Sequence, residues 1–367
     1  MRRQRKPSPP NVMRVLVTGA TGFVGSHVAE RLLAEGHAVR ALVRPRSDVA
    51  FLRALAVELA PGDVTAPETL AVAAAGCEGI VHAAAIVGGW GRPEAYFRVG
   101  VLGTRNLLNA ARAAGVRRFV HLSSIAVYGD DLDGRLLRET DPYGYRPAPW
   151  NHYVREKVQS EQLVFSYQTR GWLEAVAVRP SVIWGARDRT AFPAAVALVR
   201  RPFAALIGNG RNRIPCAGVR DVADVAALAL TLPQAAGRAY NVSSAQQITQ
   251  RQLYRLIAGT LGRRAPRLSV PLRVAYALGA VCEGAYRLGR RDGPPPVTRF
   301  NVELIAADLR VDCSAAHDEL GWREQHPVPQ AIAEGAAWFN ARQMRVADSP
   351  TAGQVDDNQA RRATTAR

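Results

Sequence analysis

The chain has 367 residues, 48% hydrophobic and 22% charged, the balance of a globular protein long enough to bury one large or two medium domains. Its formal charge of +17 raises nucleic acid, anionic lipid and anionic ligands as partners. The arginines are spread along the chain without aromatic interleaving or a helical stripe, which argues against nucleic acid and favours plain solubility of an Arg-rich chain, with an anionic cofactor and weak peripheral membrane contact as minor readings.

The start, MRRQRKPSPPNV, is basic but lacks the apolar stretch of a signal peptide, and residues 1–12 and 345–367 read as disordered tails. Met13, directly before the first apolar run, stands as a candidate initiator. From there RVLVT, AVRALV, AVELA, GIVHAAA and RRFVHLSS alternate with Ala/Leu-rich helical segments, one of them TRNLLNAARAA closed by Gly115. That alternation predicts parallel strands joined by right-handed crossovers: an α/β, doubly wound (Rossmann) sheet over 13–180. From about Arg179 glycine, proline and short helices dominate, so 181–340 is expected to form mainly a smaller, irregular substrate lobe, with about 215–245 returning to the sheet domain. The longest uncharged apolar run in that half, VAYALGAVC at 274–282, falls far short of the ~20 residues that span a bilayer. Cys77, Cys216, Cys282 and Cys313 show no metal spacing and read as reduced thiols of a cytoplasmic protein, with no metal site.

Residues 14–25, RVLVTGATGFVG, set Gly19, Gly22 and Gly25 between the first strand and the first helix. Glycines there permit a tight turn and close approach of backbone N–H groups to a pyrophosphate, which the helix N-terminus favours. After the second strand the sequence reads ALVRPRS, with Arg44 and Arg46 and no acid before Asp48. An acid at that place would hold a ribose 2′-hydroxyl, whereas arginine suits a 2′-phosphate; NADP(H) is therefore preferred, with NAD(H) open. Asp63, in PGDV, is a candidate acceptor for the adenine amino group or a turn cap.

Residues 151–162, NHYVREKVQSEQ, look like a solvated helix, yet Tyr153 and Lys157 are four apart and share one face. Of the 48 basic residues only Lys6 and Lys157 are lysine. Lys6 lies in the N-terminal tail. A body that uses arginine everywhere else keeps a compact ammonium four residues after this tyrosine.

With these residues in view the chain resembles an extended short-chain dehydrogenase/reductase. The resemblance is carried by TGATGFVG at 18–25, GDV at 62–64, HAAA at 82–85, LSSIAVYG at 122–129, YVREK at 153–157, RPSVIWG at 179–185 and VRDVADVA at 219–226. It implies that Tyr153 is the catalytic acid/base, that Lys157 binds the nicotinamide ribose and favours the phenolate, and that Ser124, with Ser123 as the alternative, bonds the substrate oxygen. A free tyrosine titrates near ~10, so a neighbouring cation is what would let it accept a proton near neutrality. It also implies cofactor contacts from Gly19, Thr21, Gly22, Phe23, Val24 and Gly25, from Arg44, Asp63 and Val64, from Ala83 and Ala84, from Ser123, Tyr153 and Lys157, and from Pro180 and Val182.

Two departures matter. The family's Asn-Val-x-Gly-Thr motif reads here Gly100, Val101, Leu102, Gly103, Thr104, which removes the asparagine side chain. Nucleotide-sugar dehydratases carry Asp-Glu directly after the catalytic hydroxyl, whereas Ile125 and Ala126 cannot move a proton.

Within the family the second half is most similar to the 3β-hydroxysteroid dehydrogenase branch, with its sterol and long-chain 3-ketoacid enzymes, through VGGWG at 87–91, RPSVIWGARD at 179–188 and GPPPVTRFNVELI at 293–305. Ile86, Val87, Trp90, Ile125, Val182, Ile183 and Trp184 are the candidate apolar wall of a substrate pocket, unless the tryptophans are core. The segment VPLRVAYALGAVCEGAYRLGRR, ending in Arg287, Arg290 and Arg291, reads as packing or a lid before it reads as a membrane contact. His82 and His152 have no partner at metal spacing and read as hydrogen-bonding residues. The expected activity is NAD(P)-dependent interconversion of a secondary alcohol and a ketone on an apolar small molecule. A nucleotide-sugar 4-epimerase with bound NAD and a non-catalytic dinucleotide sensor are the alternatives. Homodimerisation through two helices, frequent in the family, stays open.

Overall fold

The computed structural model describes residues 12–130, 132–144, 147–289 and 293–347. Nearly all of both expected tails, with Arg290 and Arg291, lies outside the described residues. The last helix continues to Ala347, so 345–347 are helical and not part of a disordered tail.

Strand β1 (Arg14–Thr18) is buried from Val15 onward, as a strand covered on both faces must be. It turns into α1 (Phe23–Ala34), followed by β2 (Ala38–Val43), the short α2 (Ala50–Ala54), β3 (Glu58–Pro61), α3 (Pro67–Ala74), opened by its proline, and β4 (Gly79–His82). Next come α4 (Pro93–Tyr96), a π-helical turn (Phe97–Leu102) and α5 (Gly103–Ala113). Strand β5 (Arg118–Leu122) leads through a 3₁₀ turn (Ile125–Tyr128) and β6 (Leu136–Leu137) to α6 (His152–Thr169) and β7 (Glu174–Pro180).

The second half runs through β8 (Val182–Trp184), α7 (Ala191–Val199), β9 (Ala205–Ile207), β10 (Arg213–Ile214), β11 (Cys216–Gly218), α8 (Val219–Thr231), β12 (Ala239–Val242) and β13 (Ile248–Thr249). It ends with α9 (Gln250–Thr260), β14 (Leu268–Val270), α10 (Leu272–Leu288), α11 (Arg299–Ala306), β15 (Arg310–Val311), α12 (Ser314–Leu320) and α13 (Val328–Ala347).

Seven strands form one parallel sheet in the order β12-β7-β5-β4-β1-β2-β3. The chain leaves β1 in one direction toward β3 and returns through β4 toward the other edge, so the crevice at the carboxyl ends of β1 and β4 is the switch point where such sheets bind ligands. Alternate strand residues feed two cores. Val15, Val17 and Val81 pack with α1 and α8, while Leu16 and Ile80 pack with α3, α5 and α6. Strand β12 is the edge strand beside β7, which brings 239–242 into the sheet from a chain otherwise occupied with the second lobe. That lobe has its own core, built from Phe192, Val196, Leu206, Ile214, Leu253, Ile257, Val328 and Ile332.

Two buried arginines brace the sheet. Arg118 of β5 donates to the Ala229 carbonyl of α8 at 2.7 Å and to the carbonyl of Leu232, directly after α8, at 2.9 Å, and pairs with Glu174 at 2.7 Å. Arg179 of β7 reaches Glu161 of α6 at 2.5 Å and the Tyr128 hydroxyl at 2.9 Å; this hydroxyl in turn donates to Asn241 of β12 at 2.7 Å. Among the described residues no helix is long and apolar enough to cross a membrane, and no cluster of side chains has the make-up of a metal site. Each of the four cysteines is free.

Candidate active site

At the switch point the backbone itself forms the nucleotide side of the site. Gly19 has φ +67°, and a Cβ built there would lie 2.6 Å from the Ala83 carbonyl oxygen; at Gly25 it would lie 2.3 Å from the Gly19 oxygen. Only glycine fits either position. Gly22 caps α1 without any side-chain hydrogen bond of its own, and the macrodipole at this first turn favours an anion. This turn fits a dinucleotide pyrophosphate. Ala83 and Ala84 flank it, the Ala84 N–H donating to Thr18 Oγ1 at 3.3 Å.

The rest of the nucleotide side is assembled from separate segments. Arg44 is exposed directly after β2. Asp63 Oδ1 accepts from the Thr65 N–H and hydroxyl, both at 2.8 Å, so its carboxylate caps the turn after β3, and the neighbouring Val64 is buried against Gly103. Pro180 and Val182 follow from β7 into β8. Two arginines that sequence reasoning missed line the cleft beside Thr21, Gly22 and Ser26: Arg187 and Arg189. Arg187 adopts φ +70°, donates to Ser26 at 2.9 Å and pairs with Glu30 at 2.7 Å, while His27 Nε2 meets the Ala186 carbonyl at 2.9 Å. Burial, and then Arg187, push His27 down to about 3, so its imidazole is neutral and serves this contact. The only signal in the sequence was the arginine pair itself, indistinguishable there from 44 others.

Helix α6 turns all its charges but Arg155 inward. Tyr153, Glu156, Lys157 and Glu161 are all buried, the reverse of a solvated helix. Its start is fixed by Asn151, whose side chain accepts from the Val154 N–H at 3.3 Å and donates to Asp130 at 2.6 Å. Tyr153 therefore sits in the first turn of an anchored helix. Lys157 Nζ lies 5.9 Å from the Tyr153 ring centre and donates to the Leu122 carbonyl at 3.4 Å. That bond ties α6 to the end of β5, two residues before Ser124. Ser124 caps the 3₁₀ turn by accepting from the Ala126 N–H at 3.1 Å, and the buried Ser123 hydroxyl has no hydrogen-bond partner among the described residues.

His82 bonds Thr18 Oγ1 at 2.7 Å and Thr104 Oγ1 at 2.9 Å, and the Thr104 hydroxyl donates to the Gly100 carbonyl. Burial, then Lys157, push this histidine down to about 3. It is a neutral hydrogen-bonding spacer between β1, β4 and α5. His152 faces the Tyr96 ring with centres 6.4 Å apart and is pushed below its ordinary range by partial burial.

Tyr153 is covered by α11, with α10 and the 86–91 loop beyond it. Phe300 lies edge-on to Tyr153, ring centres 5.7 Å apart, and Gly89 admits it so closely that a Cβ there would sit 2.2 Å from the Phe300 Cβ. Trp90 meets Tyr286 edge-on at 6.4 Å under the Arg287 guanidinium at 5.3 Å. Val87 is exposed, and Ile125 is buried with Val127, Tyr128 and Leu137. Trp184, expected on the pocket wall, is instead core: it is 3% exposed, packs with the second lobe and donates to Cys216 Sγ at 3.3 Å. Its place in β8, paired with β11, turns the indole into that core. Phe300, Tyr286 and Trp150, under Arg299 at 4.5 Å, supply aromatic surface that was not read from the sequence.

Comparison with known proteins agrees with this fold. Residues 15–243 match the family described as NAD dependent epimerase/dehydratase. A 2-alkyl-3-oxoalkanoate reductase of Shewanella oneidensis is 32% identical over 85% of this chain and 82% of its own length. A 3 beta-hydroxysteroid dehydrogenase/Delta 5-->4-isomerase of Mycobacterium tuberculosis is 32% identical over 89% of this chain and 90% of its own. The crystal structure of gox2253 superposes with a TM-score of 0.74 at 32% identity, covering 89% of this chain and 98% of that one.

Proposed function

We propose that this chain, which belongs to the NAD dependent epimerase/dehydratase family, is an NADP(H)-preferring oxidoreductase that interconverts a secondary alcohol and a ketone on an apolar substrate of the sterol or long-chain 3-ketoacid type. The observation that carries the reading is the aromatic cover over the acid/base: Phe300 against Tyr153, with Trp90 and Tyr286 beyond it. Such a wall suits a ring system or acyl chain and offers little to a sugar diphosphate, which needs several placed polar groups. Relatives named for a 3-oxoalkanoate and for a 3β-hydroxysteroid support the same substrate class. Arg44, exposed after β2 with no acid before Asp48, supports a 2′-phosphate.

When bound, the nicotinamide supplies or accepts the hydride. In the reducing direction Ser124 and Tyr153 bond the carbonyl oxygen, and Tyr153 gives its hydroxyl proton to the oxygen as charge develops there. Lys157 stabilises the phenolate left behind. Anchoring of α6 through Asn151 and Asp130 fixes the direction of that proton, while Phe300 keeps water from the ring edge. Ile125 and Ala126 supply no acid or base for elimination, so the chemistry ends at the alcohol.

The test is oxidation of NADPH and of NADH by the purified protein with a 3-ketosteroid, a long-chain 2-alkyl-3-ketoacid and a UDP-4-keto sugar. Turnover of an apolar ketone, preferring NADPH and falling about 10²–10⁴-fold in Tyr153→Phe, is expected. Turnover of the sugar alone, with NAD retained through purification, would replace this reading by a 4-epimerase. Cofactor binding without turnover of any of the three would favour a dinucleotide sensor.

A further inference from the structure

The mechanism above leaves unused a buried carboxylate beside its lysine, that of Glu156. Glu156 and Lys157 side chains are each 3% exposed, and Glu156 Oε2 lies 3.9 Å from Lys157 Nζ. Among the described residues Oε2 has no hydrogen-bond partner. A carboxylate buried this way is costly unless a cation faces it. The space it occupies is provided by a glycine: a Cβ built on Gly100 would lie 2.2 Å from Glu156 Cγ and 2.2 Å from Oε1. Gly100 belongs to the π-helical turn, and its carbonyl is held by Thr104 in the His82 and Thr18 chain. Gly100 and Glu156 are thus one feature, a gap in the helix wall and the carboxylate that fills it beside the ammonium.

We propose that Glu156 is a positioning residue of the proton-transfer site, its carboxylate holding the Lys157 ammonium together with the Leu122 carbonyl and limiting how strongly that ammonium favours the Tyr153 phenolate. The inference rests on the ketoreductase reading only in taking Tyr153 and Lys157 as the proton-transfer pair. Other groups around it do not replace the charge. Ser160, on α6, is neutral and donates to the Lys157 carbonyl at 3.2 Å, and Tyr96 of α4, near both Tyr153 and Glu156, is pushed up to about 12 by burial and stays neutral. His121 of β5 and His82 of β4 face the ammonium, and burial holds both neutral. Burial pushes Glu156 itself upward, opposed by Lys157 and Ser160.

Glu156→Gln keeps the shape and removes the charge. Phenolate absorbance, recorded as the difference between each protein and its Tyr153→Phe counterpart during alkaline titration, reads the effect with no substrate present. Glu156→Gln should bring the Tyr153 phenolate out about one pH unit lower, and move the acid limb of the alcohol-oxidation kcat profile by the same amount, with KM for the alcohol within about twofold. Glu156→Asp should return both toward the parent. Gly100→Ala, which displaces the carboxylate, should shift them in the direction of Glu156→Gln, and the double variant should go no further than Glu156→Gln alone. Should Gly100→Ala fail to fold, the two Glu156 variants decide. A phenolate that emerges at the parent pH in Glu156→Gln would overturn the proposal. A parent that reduces no ketone would overturn the ketoreductase reading instead, and the titration would still decide on Glu156.

Discussion

The two sides of the site are made of different material. The nucleotide side has a backbone floor: Gly19 and Gly25 touch neighbouring main chain so closely that no Cβ fits, next to the first turn of α1, with Arg187 and Arg189 as side chains along the same cleft. The substrate side is side chain: Phe300, Trp90 and Tyr286 come from α11, a loop and α10, and they touch one another ring to ring. Main-chain contacts admit almost no variation, whereas an aromatic cover can be re-cut residue by residue. On the proposed reading, dinucleotide binding rests on a rigid frame and substrate choice on side chains that can be exchanged.

The frame between the two sides gives the largest expected effect. Glu161→Gln leaves the buried Arg179 guanidinium without its anion and should lower stability by about 3–5 kcal/mol in denaturant unfolding. A loss below about 1 kcal/mol would mean that the frame owes little to this pair. Gly19→Ala tests the backbone side. A side chain at φ +67° costs about 1–3 kcal/mol, and the Ala83 contact adds to it, so NADPH affinity should fall about tenfold or more by fluorescence titration. Ketone KM extrapolated to saturating NADPH should hardly move. Trp90→Ala is the mirror experiment: KM for the apolar ketone should rise about tenfold with NADPH affinity unchanged. Equal effects on both ligands would erase the division between the two sides.

The smallest effect is a pH slope. Burial, with Asp130 next, pushes Glu303 of α11 up to about 7. A carboxyl raised in the folded state contributes stability that is fully present below its ordinary range and is lost as pH rises through 7. The melting temperature should therefore decline between about pH 5 and pH 8, and Glu303→Gln should flatten that decline.

Local signals made the backbone side legible. Glycine spacing between a strand and a helix, and a tyrosine and lysine four apart, are patterns within a dozen residues, and both occur in the structure in the elements predicted. The cover was not legible, because its contacts join distant segments: Phe300 reaches Tyr153 across 147 positions, and Arg187 reaches Ser26 across 161. Trp184, open in the sequence between pocket wall and core, is decided by the same kind of distant contact, since alternation within β8 does not reveal that its pairing with β11 turns the indole into the second core. Arg118 and Glu156 were invisible in a different way. Sequence patterning assigns charges to the surface, and only the carbonyls at the end of α8 and the gap at Gly100 explain why these two are inside.

The scarcity of lysine makes the site its own reporter. Lys6 and Lys157 carry the only ε-amines of the chain, and Lys157 is 3% exposed. A lysine-specific protease can therefore cut the body at one peptide bond alone, after Lys157, and only when α6 has opened. The rate at which the chain splits into two large fragments, and its slowing by a bound dinucleotide, measures the opening of the active site directly, without an introduced label.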